Sequence, residues 1–202
     1  MKINSKINSK IVIVVFYIIV IILSGKRYYS LLPTIPVYPN NEVESNKVKQ
    51  ISDKRTQEDI DFANTIDLGL TGPFEKIIPE PKANIEKVAH SLNIVIITLK
   101  LFFNRARPKQ VNKSINTLKS LSAQTPAYPS GHAFQSYLIA KTYSKKYPEL
   151  KEKLWNLADK CAFARINAGL HYPSDGKFSK YLVMTYFNKL INVERKIISI
   201  KK

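Results

Sequence analysis

The chain has 202 residues, 45% hydrophobic and 23% charged, enough for one well-filled core and too short for two enzymatic domains of ordinary size. Its single cysteine, Cys161, excludes an intramolecular disulfide and a multi-cysteine metal site, and reads as a small core residue. The formal net charge of +17 is lopsided: residues 1–86 hold 11 Lys+Arg against 10 Asp+Glu and residues 87–202 hold 21 against 5, so the second half attracts anionic partners, whether phosphorylated small molecules, an anionic membrane surface or nucleic acid.

In chain order, Lys2, Lys6 and Lys10 precede thirteen uninterrupted apolar residues, Ile11 to Leu23. That run suits a signal-peptide core better than a transmembrane helix, which needs about 20 residues. Leu23-Ser24-Gly25-Lys26 is a poor cleavage site, so residues 1–27 read as either a signal peptide or an uncleaved membrane anchor. The leading lysines put the N-terminus in the cytoplasm and the remainder beyond the membrane, anchored there or released as a secreted or periplasmic protein; Lys26 and Arg27 oppose that orientation. Residues 28–55, with prolines at 33, 36 and 39, read as a linker, residues 56–192 as the folded domain and residues 193–202 as a basic tail.

Within the domain, Thr56 followed by Asp59 resembles a capping box, and the apolar stripe after it predicts a short helix ending at the Gly69 to Pro73 break. From about Lys82 to Arg105, Ile85, Val88, Ala89, Leu92, Val95, Ile96, Leu99 and Phe103 keep a helical period and predict one long helix. Residues 109–128 read as a loop, and helices are expected over about 131–146, 149–169 and 174–192. Strand alternation is nowhere evident, so the fold expected is an all-α helical bundle.

Three places carry chemistry. Pro129-Ser130-Gly131-His132 puts a histidine at a helix start, where unpaired N–H groups and the positive end of the dipole favour an oxyanion; Ser130 is the expected cap and Gly131 admits a close approach of the backbone. Lys100 and Arg107 are seven residues apart, about two turns and 20° on a continuing helix, so they could converge on one ligand. Arg165 falls on the apolar face of its helix with Leu154, Leu157, Cys161 and Ala168. Burial there demands an anion, either a bound phosphate or a carboxylate such as Asp159 or Asp175. Asp175 lies four residues after His171, close enough to accept an Nδ1 proton and leave Nε2 as a nucleophile or base. His90, inside the long helix, reads as structural.

The order Lys100, Arg107-Pro108, then Pro129-Ser130-Gly131-His132, then Arg165, His171, Asp175 resembles the three-part signature of the type 2 phosphatidic acid phosphatase (PAP2) superfamily, which includes bacterial acid phosphatases and vanadium haloperoxidases. Ala164 departs from the serine usual before the arginine. The resemblance implies a phosphoric monoester hydrolase of the acid phosphatase kind that needs no metal or other cofactor. Lys100, Arg107, Ser130, Gly131 and Arg165 would bind the phosphoryl group, His171 oriented by Asp175 would form a phosphohistidine, and His132 would serve as acid and base. Such a mechanism requires the two histidines in opposite protonation states.

The rival readings are a lipid phosphate or polyprenyl pyrophosphate phosphatase, a haloperoxidase holding vanadate as cofactor rather than meeting it as an inhibitor, and a basic module binding nucleic acid or membrane. The partners expected are a phosphorylated small-molecule or lipid substrate and a membrane reached through the N-terminal segment, with no nucleic acid.

Overall fold

The computed structural model describes residues 38–199. The leader read at 1–27 and the first part of the linker, 28–37, lie outside the described residues. The helices are α1 Asn41–Asp53, α2 Gln57–Leu68, α3 Gly72–Glu75, α4 Lys82–His90, α5 Asn93–Phe103, α6 Pro108–Val111, α7 Gly131–Lys146, α8 Lys151–Asn167 and α9 Pro173–Ser199, with a 3₁₀ turn at Pro148–Leu150. The described residues contain no strand, and none of their helices is long and apolar enough to cross a membrane.

α7 is the central element. Ala133, Phe134, Tyr137, Leu138, Ile139, Ala140 and Tyr143 are all buried, so apolar side chains surround it instead of forming one stripe. α8, reached through the short 3₁₀ turn, packs against it as an antiparallel hairpin, and α9, α4 and α5 cover its other sides. Cys161 is fully buried in this core, which pushes its thiol up to about 12 and fits the packing role expected for it.

The start of α7 therefore shares one end of the bundle with the end of α8 and the start of α9. Ser130 N–H donates to the Asp175 carbonyl (3.3 Å), and Ser179 Oγ donates to the Ser130 and Asp175 carbonyls (2.9 Å each), tying the two helix starts together.

Three expectations change. The stretch read as a linker contains α1, capped by Asn40, whose side chain accepts from the N–H groups of Glu42 and Val43. Its buried residues are Val48 and the polar Glu44, Ser45 and Ser52, so it carries almost no apolar signal. The helix expected over 82–105 is two helices: Ser91 bonds back to the Val88 carbonyl through both its N–H (3.3 Å) and its hydroxyl (2.9 Å), and this competition breaks the ladder without disturbing the apolar stripe. At the C-terminus, residues 193–199 continue α9 rather than beginning a tail. The capping box expected at Thr56 and Asp59 is present.

Candidate active site

α5 does not run on to Arg107. Asn104 takes the left-handed conformation (φ 46°) that asparagine tolerates better than most residues, its N–H closes on the Lys100 carbonyl, and the chain leaves the helix. Lys100 and Arg107 are thus brought together by a turn and not, as the spacing suggested, by two turns of one helix. Lys100 Nζ donates to the Pro126 carbonyl (2.6 Å). Arg107 Nε and Nη2 donate to the Thr125 carbonyl (2.9 and 2.8 Å), and its Nη1 donates to the Leu170 carbonyl and to His171 Nε2 (both 2.9 Å).

That last bond assigns the imidazole tautomer. Arginine can only donate, so Nε2 of His171 accepts and the ring proton resides on Nδ1, where it is donated to Asp175 Oδ2 at 2.9 Å. Burial, followed by the fields of Arg107, Lys100 and Arg165, depresses the His171 pKa well below its ordinary value and keeps the ring neutral. Its backbone is set by the end of α8: Gly169 turns at φ 72°, and the N–H groups of Leu170 and His171 close on the Arg165 carbonyl (3.1 and 3.2 Å).

Arg165 is buried on the face expected of it, and its anion is Asp67 at the end of α2, neither Asp159 nor Asp175. Nη1 donates to Asp67 Oδ1 (2.9 Å), and Nη2 donates to Ser120 Oγ and Ser122 Oγ (3.2 and 3.1 Å), while Nε is buried with no hydrogen-bond partner. Burial alone would raise the Asp67 pKa, but the hydroxyls of Ser120 and Ser122 and the guanidinium together hold it below the usual carboxylate range. Asp159 instead accepts from Tyr137 and Lys180.

Ser130 caps α7, its Oγ accepting from Ala133 N–H (3.4 Å). Gly131 follows beside Lys100. Its backbone conformation is not one reserved for glycine, and an added Cβ would stand 3.7 Å from Lys100 Cε, an ordinary contact. What glycine leaves there is open space next to the ammonium. Lys100 is buried and forms no ion pair among the described residues; burial and then the Arg107 charge push its pKa well below that of an ordinary amine.

His132 is half-buried and lines a cleft of about 460 Å³ together with Lys100, Asp67, His90, Asn93 and Gln135. Burial first, then the Arg165 charge, lowers its pKa to about 3. Both histidines are therefore neutral in this arrangement, so the opposite protonation states expected of them are not a property of the protein alone. Among the described residues, no group of three or more His, Cys, Asp or Glu is placed to hold a metal ion.

The principal residue missed in the sequence is Arg105. It is fully buried: Nη1 donates to Asp175 Oδ1 (2.7 Å) and Ser174 Oγ (2.7 Å), Nη2 to Glu44 Oε2 (2.8 Å) and Nε to Asn41 Oδ1 (2.8 Å). The guanidinium lies over the Tyr172 ring at 3.8 Å and the Tyr38 ring at 4.3 Å. Glu44 also accepts from the N–H and hydroxyl of Ser174 at the start of α9, so α1 reaches the site through one carboxylate. Burial outweighs the favourable Arg105 charge and pushes the Asp175 carboxyl up to about 6. The signal that could have found Arg105 is Asn104, a residue apt to end the helix and redirect the arginine inward.

A family model described as the PAP2 superfamily matches residues 88–190, just over half of the chain. Among solved structures, the crystal structure of the first transmembrane PAP2 type phosphatidylglycerolphosphate phosphatase from Bacillus subtilis is similar over 95% of this chain and 96% of that chain, at 16% identity and a TM-score of 0.45. No curated protein matches the chain significantly. The chain belongs to the PAP2 superfamily, and phosphatase is the activity that this membership supports.

Proposed function

We propose that the chain is a phosphoric monoester hydrolase that needs no metal and works through a phosphohistidine on His171. The observation that carries this reading is the bond from buried Arg107 to Nε2 of a neutral imidazole whose Nδ1 proton is held by Asp175, in a ring environment where the charges of buried Lys100 and Arg165 also act. Three buried cations beside the positive start of α7 suit a phosphoryl dianion, and Lys100 has no carboxylate to satisfy it.

In the proposed reaction, Lys100, Arg107 and Arg165, with the Ser130 hydroxyl and the Gly131 N–H, hold the phosphoryl oxygens and offset their charge in the transition state. The Nε2 lone pair of His171 forms a bond to phosphorus while the ester P–O bond breaks, and His132 gives a proton to the departing alkoxide. Water then attacks phosphorus, His132 takes its proton, the P–N bond breaks and inorganic phosphate leaves. The ring proton stays on Nδ1, hydrogen-bonded to Asp175, throughout.

The low pKa of His132 is compatible with its acid role because the negative charge of a bound phosphoryl group opposes the burial penalty and the Arg165 field that depress it. Residues 1–27 would attach the domain to the membrane with the active site on the extracytoplasmic side; the uninterrupted apolar run is what supports this. Nucleic acid is disfavoured as a partner because Lys100, Arg105, Arg107 and Arg165 of the basic half are directed inward.

The test is hydrolysis of p-nitrophenyl phosphate by the purified full chain in excess chelator, with inhibition by vanadate. Activity that vanishes with EDTA and returns with a divalent metal would overturn the mechanism. Halide oxidation by peroxide upon addition of vanadate, without ester hydrolysis, would favour the haloperoxidase alternative.

A further inference from the structure

α5 is inside out for a helix in contact with water. Its only charge, Lys100, is buried, while its outer face carries Ile94, Ile97 and Phe102, which are 58%, 37% and 59% exposed. At about 100° per residue, positions 94, 97, 98, 101 and 102 fall in one sector of the helix, and Thr98 is its only polar member. A surface helix ordinarily turns its apolar side to the core and its charges to water. The apolar face continues onto α9. Phe102 meets Phe103 edge to face (5.2 Å between ring centroids), Phe103 meets Phe178 (5.9 Å), and Phe178 stacks on Tyr181 (6.1 Å). Tyr181 and Met184, one turn apart, are both half exposed. Lys177, one turn before Tyr181, is exposed and forms no ion pair among the described residues. Residues 93–107 and 176–187 contain no Asp or Glu, so the charge on this strip is positive.

Two observations indicate what covers the strip. The first is where the described chain enters the domain: the Tyr38 ring lies 5.2 Å from that of Tyr128, which stacks on Phe178 at 4.7 Å and meets Phe103 edge to face at 5.0 Å. The apolar run Ile11 to Leu23 is joined to that point through residues 24–37, so a tether from a membrane meets the domain beside the strip. The second is chemistry. Isoleucine, phenylalanine, tyrosine and methionine beside a lysine, with no carboxylate, suit the boundary between acyl chains and anionic head groups. α5, with 11 residues, is too short to cross a bilayer, which leaves lying against its surface. The run of thirteen apolar residues also falls short of the about 20 that a spanning helix needs, and a second contact reinforces so short an anchor.

We propose that the outer faces of α5 and α9, with Ile94, Ile97, Phe102, Tyr181, Met184 and Lys177, form a docking surface that seats the folded domain in the head-group layer of an anionic bilayer. The proposal rests on the membrane attachment read above for residues 1–27 and adds a second, non-spanning contact made by the domain itself. It does not depend on the reaction at His171. Ile97 belongs both to the strip and to the cleft that holds Lys100 and His132, so docking brings the candidate active site to the lipid surface.

The experiment places an environment-sensitive fluorophore, one position at a time, through Ile94→Cys, Phe102→Cys and Met184→Cys in the full chain, with buried Cys161 left in place. Phe163→Cys is the control, since Phe163 is 50% exposed on α8 and outside the strip. Each protein is reconstituted with vesicles of phosphatidylcholine and phosphatidylglycerol. A quencher carried on the acyl chains should remove most of the emission at 94, 102 and 184 and little at 163. The three positions are independent, so misfolding of one variant leaves two. Strip probes that stay open to a water-borne quencher while the chain floats with the vesicles would overturn the docking surface alone, as would equal acyl-chain quenching at 163. Probes protected from both quenchers would assign the strip to the leader, or to a second copy where protection is lost on diluting the protein among more vesicles, and either result overturns lipid as the occupant. A full chain that does not float with the vesicles would overturn the membrane attachment and the docking surface together.

Discussion

Replacing Arg105 with leucine tests whether the charge cluster behind His171 is organised as the structure indicates. The substitution removes a guanidinium held at 2.7 Å from Asp175 and 2.8 Å from Glu44, with neither it nor Asp175 exposed to solvent. Breaking a buried ion pair by deleting one partner costs about 3–5 kcal/mol, chiefly because the remaining charge is left without compensation. Stacking on Tyr172 and Tyr38 adds about 1–2 kcal/mol to the loss. Against a typical domain stability of about 5–15 kcal/mol, the variant should be strongly destabilised at pH 8.

The sign of the pH dependence separates this account from a simple packing defect. The Asp175 carboxyl already stands at about 6 with Arg105 beside it, above its unfolded value, so the protonated form favours the fold below the unfolded pKa and the advantage disappears as pH rises through the folded pKa. Without Arg105 the folded pKa rises further. The deficit of Arg105→Leu relative to wild type should therefore be smaller at pH 5 than at pH 8, by about 1.4 kcal/mol for each unit of additional shift. Urea denaturation at the two pH values measures it. If the variant does not fold at pH 8, Arg105→Lys, which keeps one charge but not the fork, should show the same trend at smaller amplitude. A deficit under 1 kcal/mol, or one that is equal at both pH values, would refute the reasoning.

Four further outcomes are expected. His171→Ala should abolish any acid-labile phosphoprotein adduct with every ester, whereas His132→Ala should still form one from p-nitrophenyl phosphate and lose about 10²- to 10⁴-fold on alkyl phosphates; an adduct trapped on residue 132 of the His171→Ala protein would reverse the assignment. Binding of sulfate, a dianion throughout this range, should take up protons between pH 4 and 5 as its charge raises the His132 pKa from about 3, and calorimetry in buffers of different ionisation enthalpy that detects no uptake would contradict this. Gly169→Ala should cost about 1–2 kcal/mol or more in urea, because a Cβ there needs φ 72° and would stand 3.0 Å from Ile115 Cγ2; a wild-type midpoint would contradict the strain. Deleting residues 1–27 should move the chain from the carbonate-washed membrane fraction to the supernatant, and an unchanged distribution would remove the leader as the anchor.

The features legible in the sequence depend on neighbours within a turn or two. The Thr56 and Asp59 capping box, the start of α7 at Ser130 and the bond from His171 to Asp175 are all formed by residues three or four apart, where local backbone geometry leaves little choice. Burial of Arg165 was legible too, since its phase on α8 follows from the 3.6-residue period. Its partner was not: Asp67 is 98 residues away, and only the packing of α2 against α8 decides which carboxylate meets the guanidinium. The same holds for Arg105 with Glu44 and Asp175, 61 and 70 residues distant. α1 escaped notice because the side chains it buries are mostly polar: Ser45 and Ser52 donate to carbonyls of their own helix and Glu44 is satisfied by Arg105 and Ser174, so no apolar period is left to read. Sequence determined the helices with a clear apolar period, their phases and the residues of the spaced motif; tertiary structure decided which charges face one another, because Coulomb energies and hydrogen bonds depend on distances that only long-range packing sets.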